Sequence, residues 1–138
     1  MNPPTLLPVR RVGPDTDLFS THATLPGLGV LPINAYLIHA REPVLVDTGI
    51  GALQDDFVAA LAERIDPADL RWIWLTHADP DHLGALRAVL EMAPKARIVT
   101  NYLGVGKLGL LQVPPERTWM INPGQTLDVG DRGLQALR

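Results

Sequence analysis

Residues 75–84 have the sequence LTHADPDHLG, in which four side chains able to bind a metal ion fall within six positions. These side chains are His77, Asp79, Asp81 and His82, at the spacing H-x-D-x-D-H. Two carboxylates and two imidazoles crowded into one turn repel or compete with one another unless a cation lies among them. The stretch therefore predicts a metal site, in preference to the simpler interpretation of an elaborate helix cap.

The sequence on either side of this motif indicates a strand followed by a turn and a helix. The apolar run Arg71–Leu75 is typical of a buried strand, and one face of a helix is indicated by the spacing of Leu83, Leu86, Val89 and Leu90. Asp81 lies where the helix would be capped, and the positive end of the helix favours its ionised form. Such a turn lies at the carboxyl edge of a sheet, where open α/β folds usually bind their ligands.

The rest of the chain alternates strands with amphipathic helices, which predicts a single α/β domain over residues 1–138 with a mixed sheet. Helices are expected over Leu53–Ile65, from the motif to about Met92, and over Tyr102–Leu111. Strands are expected at Asp17–Ala23, Ile33–His39, Pro43–Val46, Arg97–Thr100 and Thr118–Ile121, with a closing hairpin of Leu127–Val129 and Leu134–Leu137.

Composition excludes several classes of protein. The formal net charge is −3 and the basic residues are scattered, so neither nucleic acid nor a membrane is an expected partner. The absence of cysteine excludes disulfides, zinc–thiolate sites and iron–sulfur clusters. Residues 1–11 lack the apolar segment of a signal peptide, and no apolar run approaches membrane-spanning length. We therefore expect a cytoplasmic protein whose partner is a small-molecule substrate.

The motif resembles the signature of the metallo-β-lactamase fold superfamily, which is usually H-x-H-x-D-H. Residues Leu45–Gly49, with the sequence LVDTG, likewise resemble the earlier strand-end motif of that family. The resemblance covers nearly the whole chain and implies the N-terminal half of a four-layer αβ/βα sandwich. Asp79 stands where the family usually has its second histidine. A carboxylate at that position is reminiscent of the flavodiiron and oxygen-binding diiron branch, which has a glutamate there.

By resemblance, a complete domain would hold two divalent metal ions. His77 and Asp79 would bind one ion, and Asp81 would bind the second or orient an attacking water as a base. His82 would bind the second ion in hydrolytic relatives, whereas the matching histidine of diiron relatives is not a ligand. The hard carboxylate oxygen of Asp79 favours iron or manganese, with zinc as the alternative.

Two further residues are expected to support this site. Asp47 would accept a hydrogen bond that fixes a ligand imidazole, or would equally well bind the backbone of Thr48–Gly49. Thr76 either braces the loop or is simply a residue that favours a strand. His22 and His39 are expected to be structural, because neither has carboxylates at ligand spacing.

The residues Gly104, Gly106 and Gly109 match the pattern G-x-G-x-x-G. We interpret the match as coincidental, because no clear strand-to-helix context surrounds it.

The resemblance leaves three functions open. We expect a metal-dependent hydrolase of a thioester, lactone or phosphoester; the alternatives are a diiron protein that binds or reduces oxygen or nitric oxide, and a non-catalytic remnant. In the family a second half supplies further metal ligands, so this chain is expected to be a fragment or a truncated product, or to take ligands from another chain. We expect it to be inactive alone and to self-associate through the sheet face that the second half would cover.

Overall fold

The computed structural model describes residues 4–76 and 85–137, and within them the chain forms a mixed eight-stranded sheet covered on both faces. The strands of this sheet are β1 (Thr5–Leu6), β2 (Arg10–Arg11), β3 (Thr16–Leu25), β4 (Gly29–Ile38), β5 (Val44–Val46), β6 (Trp72–Trp74), β7 (Arg97–Thr100) and β8 (Thr118–Met120). Their order in the sheet is β1-β3-β4-β5-β6-β7-β8, with β2 paired to β3.

The sheet changes direction at β5. Strands β3 and β4 form a ten-residue antiparallel hairpin, and β4 pairs antiparallel with β5. From β5 onward every pair is parallel: β5 with β6, β6 with β7, and β7 with β8. The carboxyl ends of β5 to β8 therefore meet at one edge of the sheet.

Within the described residues, one face of the sheet is covered by three helices, α1 (Gln54–Arg64), α2 (Leu86–Met92) and α3 (Tyr102–Leu110). Short 3₁₀ turns precede or join other elements at Gly51–Leu53, Pro67–Asp69 and Pro115–Arg117. The alternating pleat of the strands sends Leu45, Ile73 and Ile98 into this layer, where they pack with Phe57 and Leu61 of α1. The helical layer holds the larger of the two cores.

The opposite face is covered in part by a hairpin of β9 (Thr126–Asp128) and β10 (Gly133–Gln135). Leu127, Val129 and Leu134 pack there against Trp72 and Trp74. The backbone N–H of Glu42 donates to the carbonyl of Val129, and a side-chain bond from Arg132 to Asp15 ties the hairpin to the start of β3. Trp119 of β8, which pairs with Val99 on this face, stays 44% exposed. The expected self-association through this face stays a prediction.

The expected elements are present, and the main differences lie at their ends. Strands predicted at Asp17–Ala23 and Ile33–His39 extend to Thr16–Leu25 and Gly29–Ile38, because the hairpin pairs all the way to its tight turn. The predicted helix Leu53–Ile65 runs from Gln54 to Arg64. Among the helices of the described residues, none has the length and apolar character needed to span a bilayer.

The expectation that no clear strand-to-helix context surrounds the glycine pattern was wrong. Strand β7 leads directly into α3, so Gly104, Gly106 and Gly109 do follow a strand. The helix begins at Tyr102, however, and all three glycines lie inside it rather than in a loop ahead of it. They cannot present a loop of backbone N–H groups to a phosphate. The interpretation that no phosphate loop exists here holds, for this different reason.

Candidate functional site

Three polar residues stand side by side where the parallel strands end. Asp47 directly follows β5 and Asn101 directly follows β7, whereas one residue, Leu75, separates Thr76 from β6. The backbone bond from Leu75 N–H to the Val99 carbonyl, 2.9 Å, continues the pairing of β6 and β7 past the end of β6. Parallel pairing thus brings residues distant in sequence to one edge, which is the edge at which the motif of residues 77–82 begins.

Asp47 fixes Thr76 through both carboxylate oxygens. The Thr76 backbone N–H donates to Asp47 Oδ1 at 2.9 Å, and the Thr76 hydroxyl donates to Asp47 Oδ2 at 2.6 Å. The Asp47 backbone N–H donates in turn to the Trp74 carbonyl. Because Asp47 is buried, these bonds are shielded from competing water. They hold the chain in place at the last residue before His77. The loop that follows lies outside the described residues, so the expectation that Thr76 braces it stays a prediction.

The backbone of Asp47 has a positive φ of 63°, a conformation that side chains other than glycine rarely adopt. Gly49, two residues later, has φ 72°, and Thr48 between them is fully buried. This left-handed turn at the end of β5 directs the Asp47 carboxylate toward β6. The predicted bond from Asp47 to a ligand imidazole involves residues outside the described part of the chain and stays a prediction.

The motif residues themselves, His77, Asp79, Asp81 and His82, lie outside the described residues. Within residues 4–76 and 85–137, no group of three or more histidine, cysteine, aspartate or glutamate side chains is placed so that it could hold a metal ion. The described part of the chain therefore offers no metal centre that competes with the one predicted from the motif.

A cleft of about 590 Å³ opens beside this edge, between the sheet and the β9–β10 hairpin. Its polar side chains are those of Thr76, Thr100, Asn101 and Gln135, and its apolar walls include Val46, Trp74, Ile121 and Leu134. No charged side chain of the described residues lines it. An apolar cleft with a few convergent polar groups is the usual form of a small-molecule site.

Asn101 is a site residue that the sequence analysis missed. It caps the start of α3, where its Oδ1 accepts a hydrogen bond from the Gly104 backbone N–H at 2.9 Å. The signal was present in the sequence, since an asparagine directly before an apolar helical segment is a typical N-cap. Its place in the cleft follows only from the parallel pairing of β6 and β7.

The histidines expected to be structural lie away from this edge. His22 is exposed on β3. His39 Nε2 lies 2.8 Å from Asp17 Oδ2, in a cluster that also contains the Arg11 guanidinium at 2.7 Å from Asp17 Oδ1. Burial alone would raise the pKa of Asp17, but the hydrogen bonds from His39 and Arg11 outweigh it and hold that pKa below the ordinary 3.8. The cluster binds the N-terminal strands to β4, so His39 has the structural character expected. The expectation for His22 stays a prediction.

Comparisons with known proteins identify related chains. Residues 28–132 match the model of the metallo-beta-lactamase superfamily. The flavo-diiron protein FprA2 of Clostridium acetobutylicum is 28% identical over an alignment 128 positions long, which covers 83% of this chain and 32% of that protein. The anaerobic nitric oxide reductase flavorubredoxin of Salmonella typhi is 33% identical over 99 residues, 71% of this chain and 21% of that protein.

The fold agrees with these relationships. A flavo di-iron protein variant from Thermotoga maritima superimposes with a TM-score of 0.84 over 96% of this chain and 36% of that chain, at 22% sequence identity. The chain spans about a third of the length of FprA2. The α/β architecture predicted from the sequence, a mixed sheet matching the N-terminal part of this fold, is confirmed.

These relatives correct the expected function. The expectation of a metal-dependent hydrolase is wrong, because the similar proteins are flavodiiron proteins, and one of them is a nitric oxide reductase. Neither hydrolysis nor zinc is supported by the comparisons. The sequence contained a hint in this direction, since the carboxylate of Asp79 stands where the family usually has a histidine. Because the family model matches most of this chain, the chain belongs to the metallo-beta-lactamase superfamily.

Proposed function

We propose that this chain is the metal-binding part of a diiron protein that reduces nitric oxide or oxygen. The observation that carries the proposal is the position of the donor set. His77, Asp79, Asp81 and His82 follow directly on Thr76, which Asp47 fixes at the carboxyl edge. The names of the flavodiiron relatives support iron as the metal and nitric oxide as one substrate.

The residues present fit a pair of iron ions by their chemistry. Two imidazoles and two carboxylates are nitrogen and oxygen donors, and the chain has no cysteine to favour a softer metal. His77 and Asp79 would hold one ion and Asp81 the second, with His82 close in sequence. Asp47 and Thr76 would reduce the entropy lost on metal binding, because the first residue of the loop is already fixed.

When bound, ferrous iron would supply electrons to the substrate. Reduction of two nitric oxide molecules to nitrous oxide and water consumes two electrons and two protons, so a reduced flavin, named in the relatives, is the donor class we propose. Besides the donor set, this chain contributes the cleft, whose mainly apolar walls favour a small, weakly polar molecule. Manganese is the alternative metal on donor chemistry alone, and the cytoplasmic location stays a prediction.

The test measures metal selectivity. The purified chain is loaded anaerobically from an equimolar mixture of iron, manganese and zinc, and the bound metals are determined by mass spectrometry. We expect mostly iron in the natural chain and a shift toward zinc in Asp79→His. Asp128→His is the matched control, since Asp128 is exposed on β9 and does not belong to the motif, and it should leave the selectivity unchanged.

A second measurement addresses the reaction. The iron-loaded chain, alone and joined to a second half that would supply further metal ligands, is mixed with reduced flavin, and nitric oxide and oxygen are followed with electrodes. Consumption that requires both iron and Asp79 supports the proposal. A chain that prefers zinc regardless of residue 79 contradicts it, and a chain that binds no metal at all indicates a non-catalytic remnant.

A further inference from the structure

The solvent face of α3 carries large apolar side chains and almost no charge. Tyr102, Leu103 and Leu110 are 75%, 71% and 85% exposed, and Lys107 is the one charged residue of the helix. A surface helix normally turns its polar residues outward. The helix α1 follows this rule, and its exposed charged residues are Asp55, Asp56, Glu63 and Arg64. The contrast within one chain indicates an interaction surface on α3.

The residues of this face are arranged on two sides of Gly106. Because a helix turns by about 100° per residue, Gly106 lies at the centre of the face that points away from the sheet. Leu103 and Leu110 lie on one side of it, and Tyr102 and Gly109 lie on the other. A Cβ at either glycine would meet no atom within 4 Å, so the surface of the helix is open there.

This arrangement is complementary to itself. When two such helices pack antiparallel about a two-fold axis near Gly106, each side of the face meets the same side of the other helix in reverse order. Leu103 then lies beside Leu110 of the second copy, and Tyr102 lies over the open backbone at Gly109 of the second copy. Leucines meet leucines on one side, and on the other side an aromatic ring fills the space that a glycine leaves.

The area of the face determines how strong this contact can be. The exposed side chains of α3 and of Leu111 after it offer roughly 500 Å² of surface per copy, since an aromatic side chain alone buries about 150–250 Å². A symmetric contact then buries about 1,000 Å² in total, which is the lower limit for a specific interface. A contact of this size supports a dimer that forms only at high protein concentration.

We propose that the solvent face of α3 binds a second copy of this chain, in an antiparallel two-fold dimer centred on Gly106. The dimer is weak, with a Kd of about 10–100 μM. Its contact lies in the helical layer, on the other side of the sheet from the face through which the sequence predicts self-association. Substitutions on the two faces therefore distinguish the two contacts.

Sedimentation velocity of the purified chain, at concentrations from about 5 to about 500 μM, measures the association. We expect the natural chain to change from monomer to dimer over this range. Leu110→Lys should weaken the dimer by about 10-fold or more, because it places a charge against the apolar side chain of Leu103 of the second copy. Lysine near the end of a helix is well tolerated, so the variant should fold.

Two leucines of similar exposure provide matched controls. Leu28, at the tip of the β3–β4 hairpin, is 84% exposed, and Leu137, beside the cleft on the opposite face of the sheet, is 82% exposed. Leu28→Lys and Leu137→Lys remove the same side chain and add the same charge elsewhere. Both variants should dimerise as the natural chain does. The melting temperature of every variant is measured, so that a loss of folding is not mistaken for a loss of contact.

A pair of opposite charges tests the antiparallel register. Leu103→Glu alone should weaken the dimer as Leu110→Lys does. In an equimolar mixture of the two variants, the new carboxylate of one chain lies beside the new ammonium group of the other, and one contact between Leu103 and Leu110 is kept. We expect the mixture to associate about 5-fold more strongly than either variant alone.

Three results would overturn the proposal. The first is a natural chain that stays monomeric at the highest concentration. The second is an association that Leu137→Lys abolishes and Leu110→Lys leaves intact, because the contact then lies on the opposite face of the sheet. The third is a mixture of Leu103→Glu and Leu110→Lys that associates no more strongly than its components, because the two leucines then do not meet.

Discussion

Gly104 packs against Thr100 so closely that a Cβ on Gly104 would lie 2.0 Å from Thr100 Oγ1 and 2.9 Å from Thr100 Cγ2. The absence of a side chain at Gly104 lets α3 lie directly on the end of β7, next to the cleft. We expect Gly104→Ala to destabilise the chain by about 1–3 kcal/mol, because Thr100 is buried and cannot move aside. Urea unfolding followed by circular dichroism measures the change.

Gly106 provides the matched control for this prediction. It lies in the same helix, but a Cβ there would meet no atom within 4 Å. Gly106→Ala should stabilise the chain by up to about 1 kcal/mol, because alanine has the higher helix propensity. Equal effects of the two substitutions would show that close packing at Gly104 is unimportant.

The second prediction concerns the bond between Asp47 and Thr76. Thr76→Val removes the hydroxyl that donates to Asp47 Oδ2 but keeps the backbone N–H bond to Oδ1. We expect iron affinity to fall by about 10-fold, and Asp47→Asn to lower it by up to about 100-fold, as is usual for residues that support metal ligands. Competition with a colorimetric chelator measures both.

Thr118→Val is the control for the hydroxyl. Thr118 donates to the carbonyl of Pro115 at the start of β8, which is the opposite edge of the sheet. Iron affinity should not change in this variant. If Thr76→Val and Thr118→Val bind iron equally well, the brace does not contribute to metal binding.

The third prediction is a pH dependence that comes from Asp17. Its pKa is held below 3.8 by His39 and Arg11, so the folded state binds this proton less readily than the unfolded state. The stabilisation is present above pH 3.8 and is lost as the pH falls through the lower pKa of the folded chain. Asp17→Asn should lower the unfolding free energy at neutral pH by about 1–3 kcal/mol and flatten its decline in acid.

Asp69→Asn serves as the comparison, since Asp69 is exposed in the 3₁₀ turn before β6. Denaturant unfolding between pH 7 and strong acid is measured for all three chains. An Asp17→Asn variant whose stability declines in acid as steeply as that of the natural chain would show that other carboxylates cause the acid transition.

The fourth prediction concerns the hairpin that covers the second face of the sheet. Arg132 bonds to Asp15 and Asp131, and the resulting ion pairs lower the pKa of both carboxylates. Arg132→Ala should loosen the hairpin and expose Trp72 and Trp74, which raises the fluorescence of an apolar-surface dye. Arg10→Ala, an exposed arginine of β2, should leave dye binding unchanged. Unaltered dye binding in Arg132→Ala would mean that apolar packing alone holds the hairpin.

Local patterns predicted most of the fold. The stripe containing Phe57 and Leu61 fixed the position of α1, and the alternation of Trp72, Ile73 and Trp74 placed both tryptophans on one face of β6. The ends of β3 and β4 were missed because the pairing of Leu25 with Gly29 depends on the partner strand, not on local composition. Two-residue strands such as β1 have too few residues to show a period.

The site was predicted in part, for a similar reason. Residues clustered in sequence, such as those of the motif, are visible from spacing alone. The bonds between Asp47 and Thr76 join residues 29 positions apart, and the position of Asn101 beside Thr76 depends on the register of β6 and β7. The hydrolase expectation failed because the family contains several reactions on one fold, and a fold does not specify its chemistry.

The residue at position 47 must adopt a left-handed backbone and must also supply two acceptor oxygens to Thr76, and no amino acid other than aspartate meets both requirements well. A φ of 63° is tolerated best by glycine, and next by asparagine and aspartate. The two donors of Thr76 require two acceptor oxygens at fixed reach, which a carboxylate has and an amide does not. Glycine would remove the backbone strain but would leave the two donors of Thr76 without acceptors. Glutamate would keep both oxygens, but it tolerates a positive φ less well and its longer side chain would place the oxygens too far along. Position 47 is therefore nearly closed to substitution, even though its side chain belongs to no metal-ligand motif.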